Sequence, residues 1–166
     1  MAHPKPEASN ELSLTAPGRV LLVDDQPELR RLFRRTLSKA GHEVVEAWNG
    51  RAAIELAQKN TFDVVISDVR MPDMSGLSLL KALYELDVDL PVVLVSGSPD
   101  EETSKEAMRY GVFAFLMKPV AFDVMRENAS RAITLRRLRA EAKAQFEPYA
   151  SIERIRVPRG PTGDRG

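Results

Sequence analysis

The sequence predicts an α/β fold in which five strands alternate with five helices and form one doubly wound parallel sheet. From Arg19 onward, short apolar runs of strand length alternate with longer segments whose apolar residues recur at helical spacing. The apolar runs are continuous in valine, leucine and isoleucine, which is typical of strands covered by helices on both faces. With 166 residues, the chain is long enough for one domain with a full hydrophobic core.

The first strand–helix unit opens with "RVLLVDD", residues 19–25, an apolar run that ends in two carboxylates. The next segment, residues 27–41, predicts a helix because proline suits its first turn and glycine suits the position after its last turn. Its apolar residues fall on one helical face. They are Leu29, Leu32, Phe33 and Leu37.

The second and third units follow the same pattern. "HEVVEA" (42–47) predicts the second strand, and "NGRAAIELAQKN" (49–60) a short helix whose first amides Asn49 can cap. "FDVVIS" (62–67) predicts the third strand, and "GLSLLKALYEL" (76–86) the third helix. The third strand is continuous in valine and isoleucine, so we expect it to be buried on both faces.

The last units contain the longest predicted helix. "LPVVLVS" (90–96) predicts the fourth strand, residues 99–111 the fourth helix, and "VFAFLMK" (112–118) the fifth strand. The fifth helix is predicted over residues 121–147, which contain neither glycine nor proline, and is expected to break at Pro148. This helix is longer than one layer of a small domain requires.

The two ends of the chain differ in character from its body. Residues 1–17 are polar and contain proline, so we expect a flexible arm without the apolar segment of a signal peptide. Residues 134–147 are predicted to extend the last helix, and residues 148–166, rich in proline, glycine and arginine, to form a flexible basic tail. The absence of cysteine excludes disulfides and thiolate zinc sites and favours a cytoplasmic protein.

Charge and hydropathy narrow the possible partners. Residues 1–130 hold 15 basic and 20 acidic residues, whereas residues 131–166 hold 9 basic and 4 acidic ones. A basic end can bind nucleic acid or a membrane surface, but no aromatic residues interleave with these arginines as a single-strand platform requires. We therefore favour a solvated helix face and expect no nucleic-acid binding. No apolar run approaches the roughly 20 residues of a membrane span.

Polar side chains stand at the carboxyl ends of four of the five predicted strands. In a doubly wound sheet these ends meet at one edge, where the ligand site lies. The residues are Asp24 and Asp25 after the first strand, Asp68 after the third, Ser96 after the fourth and Lys118 after the fifth. Singly, each has an ordinary structural explanation as a loop, cap or surface residue. Together, they predict a site.

The chemistry of this set indicates phosphoryl transfer. Three adjacent carboxylates repel one another unless a cation sits among them, and Mg²⁺ suits such oxygen ligands. Lys118 then supplies a charge for an anion beside the metal, and Ser96 a hydroxyl. An aspartate can attack phosphorus directly and form an acyl phosphate. Asp68, central in the sheet, is the predicted nucleophile, with Asp24 and Asp25 as metal holders.

Four stretches carry a resemblance to a known family. "LLVDDQ", "VVISDVRMPDMSG", "VVLVSG" and "FAFLMKP" resemble, in order, the strand-end motifs of the receiver domain of bacterial two-component response regulators. The resemblance covers about residues 18–133, and the spacings agree: 43 residues from Asp25 to Asp68, 28 to Ser96 and 22 more to Lys118. It implies the flavodoxin-like (βα)5 receiver fold with an extended C-terminal helix.

The resemblance also implies a role for each matching residue. Asp68 is the expected phosphoacceptor, and the backbone carbonyl of Arg70 is expected to join Asp24, Asp25 and Asp68 as a Mg²⁺ ligand. Ser96 and Lys118 are expected to bind the phosphoryl group. Ser96 and Phe115 are the expected switch residues, and Pro119 is expected to follow a cis peptide bond. Asp73 is interpreted as a turn residue only.

The implied function is that of a signalling module. A partner histidine kinase or phosphotransfer protein would supply the phosphoryl group, because His3 and His42 do not look like donors. Two forms of output stay open: a stand-alone regulator, or the receiver part of a longer one. A homodimer is expected through the face of the fourth helix, fifth strand and fifth helix, or through the C-terminal helix.

An enzyme is the alternative interpretation. A phosphatase or phosphotransferase could use Asp68 as nucleophile on a small phosphoester. Haloacid-dehalogenase-type enzymes do so with an Asp-x-Asp sequence whose second aspartate is the general acid. Residue 70 of this chain is arginine, which weighs against this alternative.

Overall fold

A computed structural model describes residues 16–150 of the chain, with side chains as far as residue 147. Within this part the predicted alternation of strands and helices is confirmed. The strands are β1 (Arg19–Val23), β2 (Glu43–Ala47), β3 (Val64–Asp68), β4 (Val92–Ser96) and β5 (Ala114–Met117). The helices are α1 (Pro27–Lys39), α2 (Gly50–Lys59), α3 (Gly76–Leu86), α4 (Glu101–Arg109) and α5 (Phe122–Ala150). Most of the predicted arm (1–17) and tail (148–166) lies outside the described residues, so both stay predictions.

The strands form one parallel sheet in the order β2-β1-β3-β4-β5. This is the flavodoxin-like order, and the direction of strand succession reverses between β1 and β3. A crevice therefore opens where the carboxyl ends of β1 and β3 lie side by side. Those two strands carry the three aspartates singled out in the sequence.

The sheet buries both of its faces, as the continuous apolar runs predict. Alternate residues of each strand enter one of two cores because side chains along a strand point to opposite faces. In β1, Leu22 packs with α1 and α5, whereas Leu21 packs on the side of α2, α3 and α4. All five residues of β3 are buried. A strand fixed on both faces holds the residue at its end in one position.

Local sequence signals set the helix ends. Pro27 opens α1, and the chain leaves that helix through Gly41, whose φ of 94° lies in the left-handed region that favours glycine. Asn49 caps α2 as predicted, with its side-chain oxygen accepting a hydrogen bond from the Ala52 amide at 2.8 Å. Pro27 and Asn49 thus mark the starts of the two helices that follow the carboxyl ends of β1 and β2.

Helix α5 continues past its predicted end. The predicted break at Pro148 is wrong, since the helix continues through Ala150. Because proline has no backbone amide to donate, its place in the helix removes one backbone hydrogen bond.

The extension of α5 is held to the body by its basic residues. Arg136 binds Asp87 of the α3–β4 loop through two hydrogen bonds of 3.0 and 2.5 Å, and Lys143 pairs with Asp89 in the same loop. Hydrogen bonding from Arg136 lowers the pKa of the Asp87 carboxyl. Arg137 donates to the Pro17 carbonyl oxygen at 2.8 Å. Among the helices of residues 16–150, none has the length and apolar character needed to cross a membrane.

One histidine lies beneath this extension. His42 accepts a hydrogen bond from the Gly18 amide at its Nδ1 atom, at 3.1 Å, so the ring is neutral with its proton on Nε2. Within residues 16–150, that buried Nε2 has no hydrogen-bond partner. Burial lowers the pKa of His42, and the positive charge of Arg137 lowers it further, while Asp63 opposes the shift.

The lowered pKa predicts a pH dependence of stability. Because the unfolded histidine titrates at about 6.5 and the folded one lower, unfolding takes up a proton. The free energy of unfolding should therefore have its full value above about pH 6.5. It should decrease as the pH drops towards the folded pKa, by at most about 1.4 kcal/mol per pH unit. Urea unfolding of the wild type and of His42→Asn, between about pH 5 and 7.5, measures this. The asparagine can still accept from Gly18, so an unchanged slope would contradict the assignment to His42.

Candidate functional site

Three aspartates meet at the switch between β1 and β3. β1 ends at Val23, so Asp24 and Asp25 follow it directly, and Asp68 is the last residue of β3. Each offers a carboxylate oxygen, and these oxygens all lie within 4.8 Å of one another. Asp24 and Asp68 are buried, with 3% and 6% of their surface exposed, whereas Asp25 is half-buried. The strands thus force like charges together in a site that is largely shielded from water.

Lys118 supplies a positive charge to this cluster. It follows β5, and its Nζ atom lies 2.9 Å from Asp68 Oδ2 and 4.0 Å from Asp24 Oδ2. The ammonium therefore reaches across the end of β4 to the aspartate at the centre of the sheet. The Lys118–Pro119 peptide bond is cis, in agreement with the expectation from the sequence.

Asp68 is oriented by two further contacts. Its Oδ1 accepts a hydrogen bond from the Arg70 amide at 3.2 Å, while Oδ2 accepts from Lys118. Its backbone carbonyl accepts from the Ser67 hydroxyl at 2.9 Å. Both carboxylate oxygens thus have a donor, and the side chain is held in one orientation before any partner arrives.

The electrostatics of the cluster favour a bound cation. Burial raises the pKa of Asp24, and the negative charges of Asp68 and Asp25 add to that rise, against the Gln26 amide and Lys118, which lower it. Because the folded pKa lies above the unfolded one, keeping Asp24 ionised above that pKa costs stability. A hard divalent ion among three carboxylates offsets this cost, so the donor set fits Mg²⁺ or a similar ion.

The two predicted switch residues lie on the next two strands of the sheet, β4 and β5. Ser96 is the last residue of β4, is 1% exposed, and its Oγ accepts a hydrogen bond from the Ser98 amide at 3.2 Å. Asp68 pairs with Val95 in the register of β3 and β4, which places Ser96 next to the site. Phe115 in β5 is half-buried and packs against the core on the side of α2, α3 and α4.

Arg70 lies at the mouth of the site. With Asp25, Asp100 and Thr103, it lines an open cleft of about 520 Å³ between the β3–α3 loop and the start of α4. Asp100 caps α4 by accepting a hydrogen bond from the Thr103 amide at 2.7 Å. Arg70 is thus exposed to solvent at this mouth, whereas Lys118 is half-buried beside Asp68.

Two residues that matter to the site carry no strong signal in the sequence. A Cβ atom on Gly76 would lie 2.3 Å from the Asp68 carbonyl oxygen, so the start of α3 touches the backbone of the central aspartate. The carboxylate of Asp73 accepts hydrogen bonds from the Gly50 and Arg51 amides, at 3.2 and 2.9 Å. Both contacts join segments that no local pattern relates.

The fold and the site together define the class of the domain: a flavodoxin-like sheet with an acidic cluster and a lysine at its switch point. A family model described as "Response regulator receiver domain" matches residues 20–130. The chain belongs to this family, and the resemblance inferred from its strand-end motifs is confirmed. It is therefore a signalling receiver domain of two-component systems.

Individual relatives agree with this assignment. The C4-dicarboxylate transport transcriptional regulatory protein DctD of Pseudomonas aeruginosa is 42% identical over 123 residues, which are 74% of this chain and 27% of DctD. The chain thus spans about a quarter of the length of that relative. The structure of this chain is similar to that of the chemotaxis protein CheY4 of Vibrio cholerae, with a TM-score of 0.67 and 34% identity. The match covers 70% of this chain and 99% of CheY4.

A further solved relative carries ligands. The response regulator protein TrrA of Thermotoga maritima, determined in complex with Mg²⁺ and a beryllium fluoride, matches with a TM-score of 0.64 and 26% identity. The match covers 69% of this chain and 97% of TrrA. The interpretation as a small-molecule phosphatase finds no support in any of these relatives.

Proposed function

We propose that this domain accepts a phosphoryl group on Asp68 from the phosphohistidine of a sensor histidine kinase or phosphotransfer protein, in the presence of Mg²⁺. The observation that carries the proposal is the contact of Lys118 with Asp68 inside a cluster of three aspartates. A carboxylate fixed between a cation and two acidic neighbours is placed to react with phosphorus and to have the added charge neutralised.

The transfer exchanges one bond for another. A carboxylate oxygen of Asp68 forms the new bond to phosphorus, the bond from phosphorus to the donor's imidazole nitrogen breaks, and its electron pair stays on that nitrogen. Lys118 and the Ser96 hydroxyl bind the phosphoryl oxygens. Mg²⁺ would be held by Asp24, Asp25, Asp68 and the backbone carbonyl of Arg70, and it would neutralise negative charge on the phosphoryl group. Hydrolysis of the acyl phosphate by water resets the domain, without an added catalyst.

The conformational response runs through Ser96 and Phe115. When the Ser96 hydroxyl turns towards the phosphoryl group, it leaves the Ser98 amide and vacates space beside β5, which the half-buried Phe115 fills. The surface of α4, β5 and α5 changes with it. This coupling explains how an event at Asp68 reaches a partner on another face of the domain.

The compartment, the output and the oligomeric state of the protein are also part of the proposal. We propose a cytoplasmic protein that acts alone or as the receiver part of a longer regulator and binds no nucleic acid through this domain. A homodimer is proposed through the surface of α4, β5 and α5 or through the extension of α5. The second surface is supported by Leu138 and Phe146, which are 46% and 69% exposed on that extension.

Two measurements test the proposed function. The intact protein, incubated with the small phosphoryl donor acetyl phosphate, should gain one phosphoryl group per chain with Mg²⁺ and none with a chelator, as read by mass spectrometry. Light scattering with and without beryllium fluoride reports the molar mass. Metal-independent labelling would contradict the proposed site. A molar mass that beryllium fluoride leaves unchanged would mean that phosphorylation does not control the proposed homodimer.

A further inference from the structure

The loop from Val69 to Ser75 carries the residues that follow the central aspartate. Its two ends are held close together, since the Gly76 amide donates to the Val69 carbonyl oxygen at 2.8 Å. Ser75 caps α3 by accepting a hydrogen bond from the Ser78 amide at 3.0 Å. The start and the end of the loop are thus fixed by β3 and α3, and its middle is attached separately.

Asp73 provides that attachment from the tip of the loop. Its Oδ1 accepts from the Gly50 amide at 3.2 Å and its Oδ2 from the Arg51 amide at 2.9 Å. These are the first two residues of α2, whose amides have no partner within the helix, and a negative charge is favourable at a helix start. Desolvation would raise the pKa of Asp73, but these hydrogen bonds outweigh it and the pKa is lowered. The carboxylate is therefore ionised at neutral pH.

An apolar contact supports the same attachment. A Cβ atom on Gly50 would lie 2.2 Å from Met74 Cγ, so the Met74 side chain lies directly on the backbone of the first residue of α2. The loop and the helix are thus joined by two hydrogen bonds and one close packing contact. We call these contacts the tether between the loop and α2. Asn49 takes no part in the tether, because its side chain caps the Ala52 amide instead.

The tether acts on the peptide group of Arg70. This residue lies three positions before Asp73, and its amide donates to Asp68 Oδ1. Its backbone carbonyl is one of the four Mg²⁺ ligands in the proposed function. A loop anchored at both ends and at its tip leaves this peptide group little freedom, so less ordering is required when the ion binds.

We infer that Asp73 is a positioning residue for the metal site: its carboxylate holds the β3–α3 loop on α2 and so presets the Arg70 peptide group for Mg²⁺. The inference rests on the proposed function for the identity of the ion and its ligands. It reverses the interpretation of Asp73 as a turn residue only. Asp73 touches no ligand itself and acts through the loop.

Removing the tether should weaken Mg²⁺ binding. Groups that orient metal ligands typically change metal affinity by about 10- to 100-fold when removed. We expect Asp73→Ala to raise the dissociation constant for Mg²⁺, measured by calorimetric titration of the full chain, by about tenfold. Asp73→Asn keeps one oxygen acceptor and should lie between Asp73→Ala and the wild type.

Asn49→Ala is the matched control, since it removes a cap from the same helix start but leaves the tether intact. It should lower the free energy of unfolding while leaving the Mg²⁺ affinity near the wild-type value. Amide hydrogen exchange gives a second measurement without metal: Asp73→Ala should reduce protection of the Arg70 amide, and Asn49→Ala should not.

The outcomes separate the two proposals. An unchanged Mg²⁺ affinity in Asp73→Ala, or an equal loss in Asn49→Ala, would overturn the inference and leave the proposed function standing. A wild-type chain that binds no Mg²⁺ would overturn the metal site and this inference with it. A tenfold loss confined to the Asp73 variants, with the asparagine variant intermediate, supports the positioning role.

Discussion

Replacing Asp68 with asparagine is expected to abolish phosphoryl labelling completely. The amide has nearly the same shape as the carboxylate, and its oxygen can still accept from the Arg70 amide or from Lys118. It lacks the negative charge and nucleophilicity needed to form an acyl phosphate. The variant also removes one of three crowded like charges, so the fold should be retained. Mass spectrometry after incubation with acetyl phosphate and Mg²⁺ should find no modified chain.

Asp100→Asn is the matched control for this experiment. Asp100 lines the same open cleft as Asp25 and Arg70 but caps α4 instead of joining the acidic cluster. Labelling of this variant should continue at one group per chain. Phosphoryl transfer to Asp68→Asn, or its loss in Asp100→Asn alone, would place the acceptor elsewhere. Urea unfolding of both variants separates a chemical effect from a loss of folded protein.

The sequence predicts the fold and most of the acidic site for one physical reason. Parallel strands buried on both faces are continuous in apolar residues, so the point where "LLV" or "VVIS" gives way to aspartate marks the carboxyl edge of the sheet. Asp24, Asp25 and Asp68 are recognisable in this way because chain position alone assigns them to that edge. Lys118 follows from the same rule at β5.

The contacts between distant segments could not be obtained in this way. Asp73 in a loop rich in turn residues is equally consistent with a solvent-exposed turn, and only the packed structure brings it to the amides of Gly50 and Arg51. The anchoring of the α5 extension is a similar case, since Arg136 and Asp87 are 49 residues apart. Helical spacing predicts the extension itself but not the loop on which it lies.

Gly76→Ala is the second substitution expected to have a large effect. The new Cβ atom would lie 2.3 Å from the Asp68 carbonyl oxygen and 2.9 Å from Val69 Cα, well inside van der Waals contact. Both neighbours are backbone atoms at the buried end of β3, so they cannot move aside as a flexible side chain would. The start of α3 has to shift, at a cost of roughly 3 kcal/mol in the free energy of unfolding. The strain acts directly on the aspartate proposed to accept the phosphoryl group.

Gly97→Ala distinguishes this clash from a general effect of replacing glycine near the site. Gly97 follows β4 at the same edge, but the nearest atom to its new Cβ would be Lys118 Cδ, at 4.0 Å, which is an ordinary contact. We expect urea unfolding to place this variant within about 0.5 kcal/mol of the wild type. Folded Gly76→Ala should also label more slowly than the wild type, because a displaced Asp68 backbone alters the angle at which its carboxylate meets Lys118. Equal stabilities of the two variants would mean that α3 and β3 have more room between them than the Gly76 contact implies.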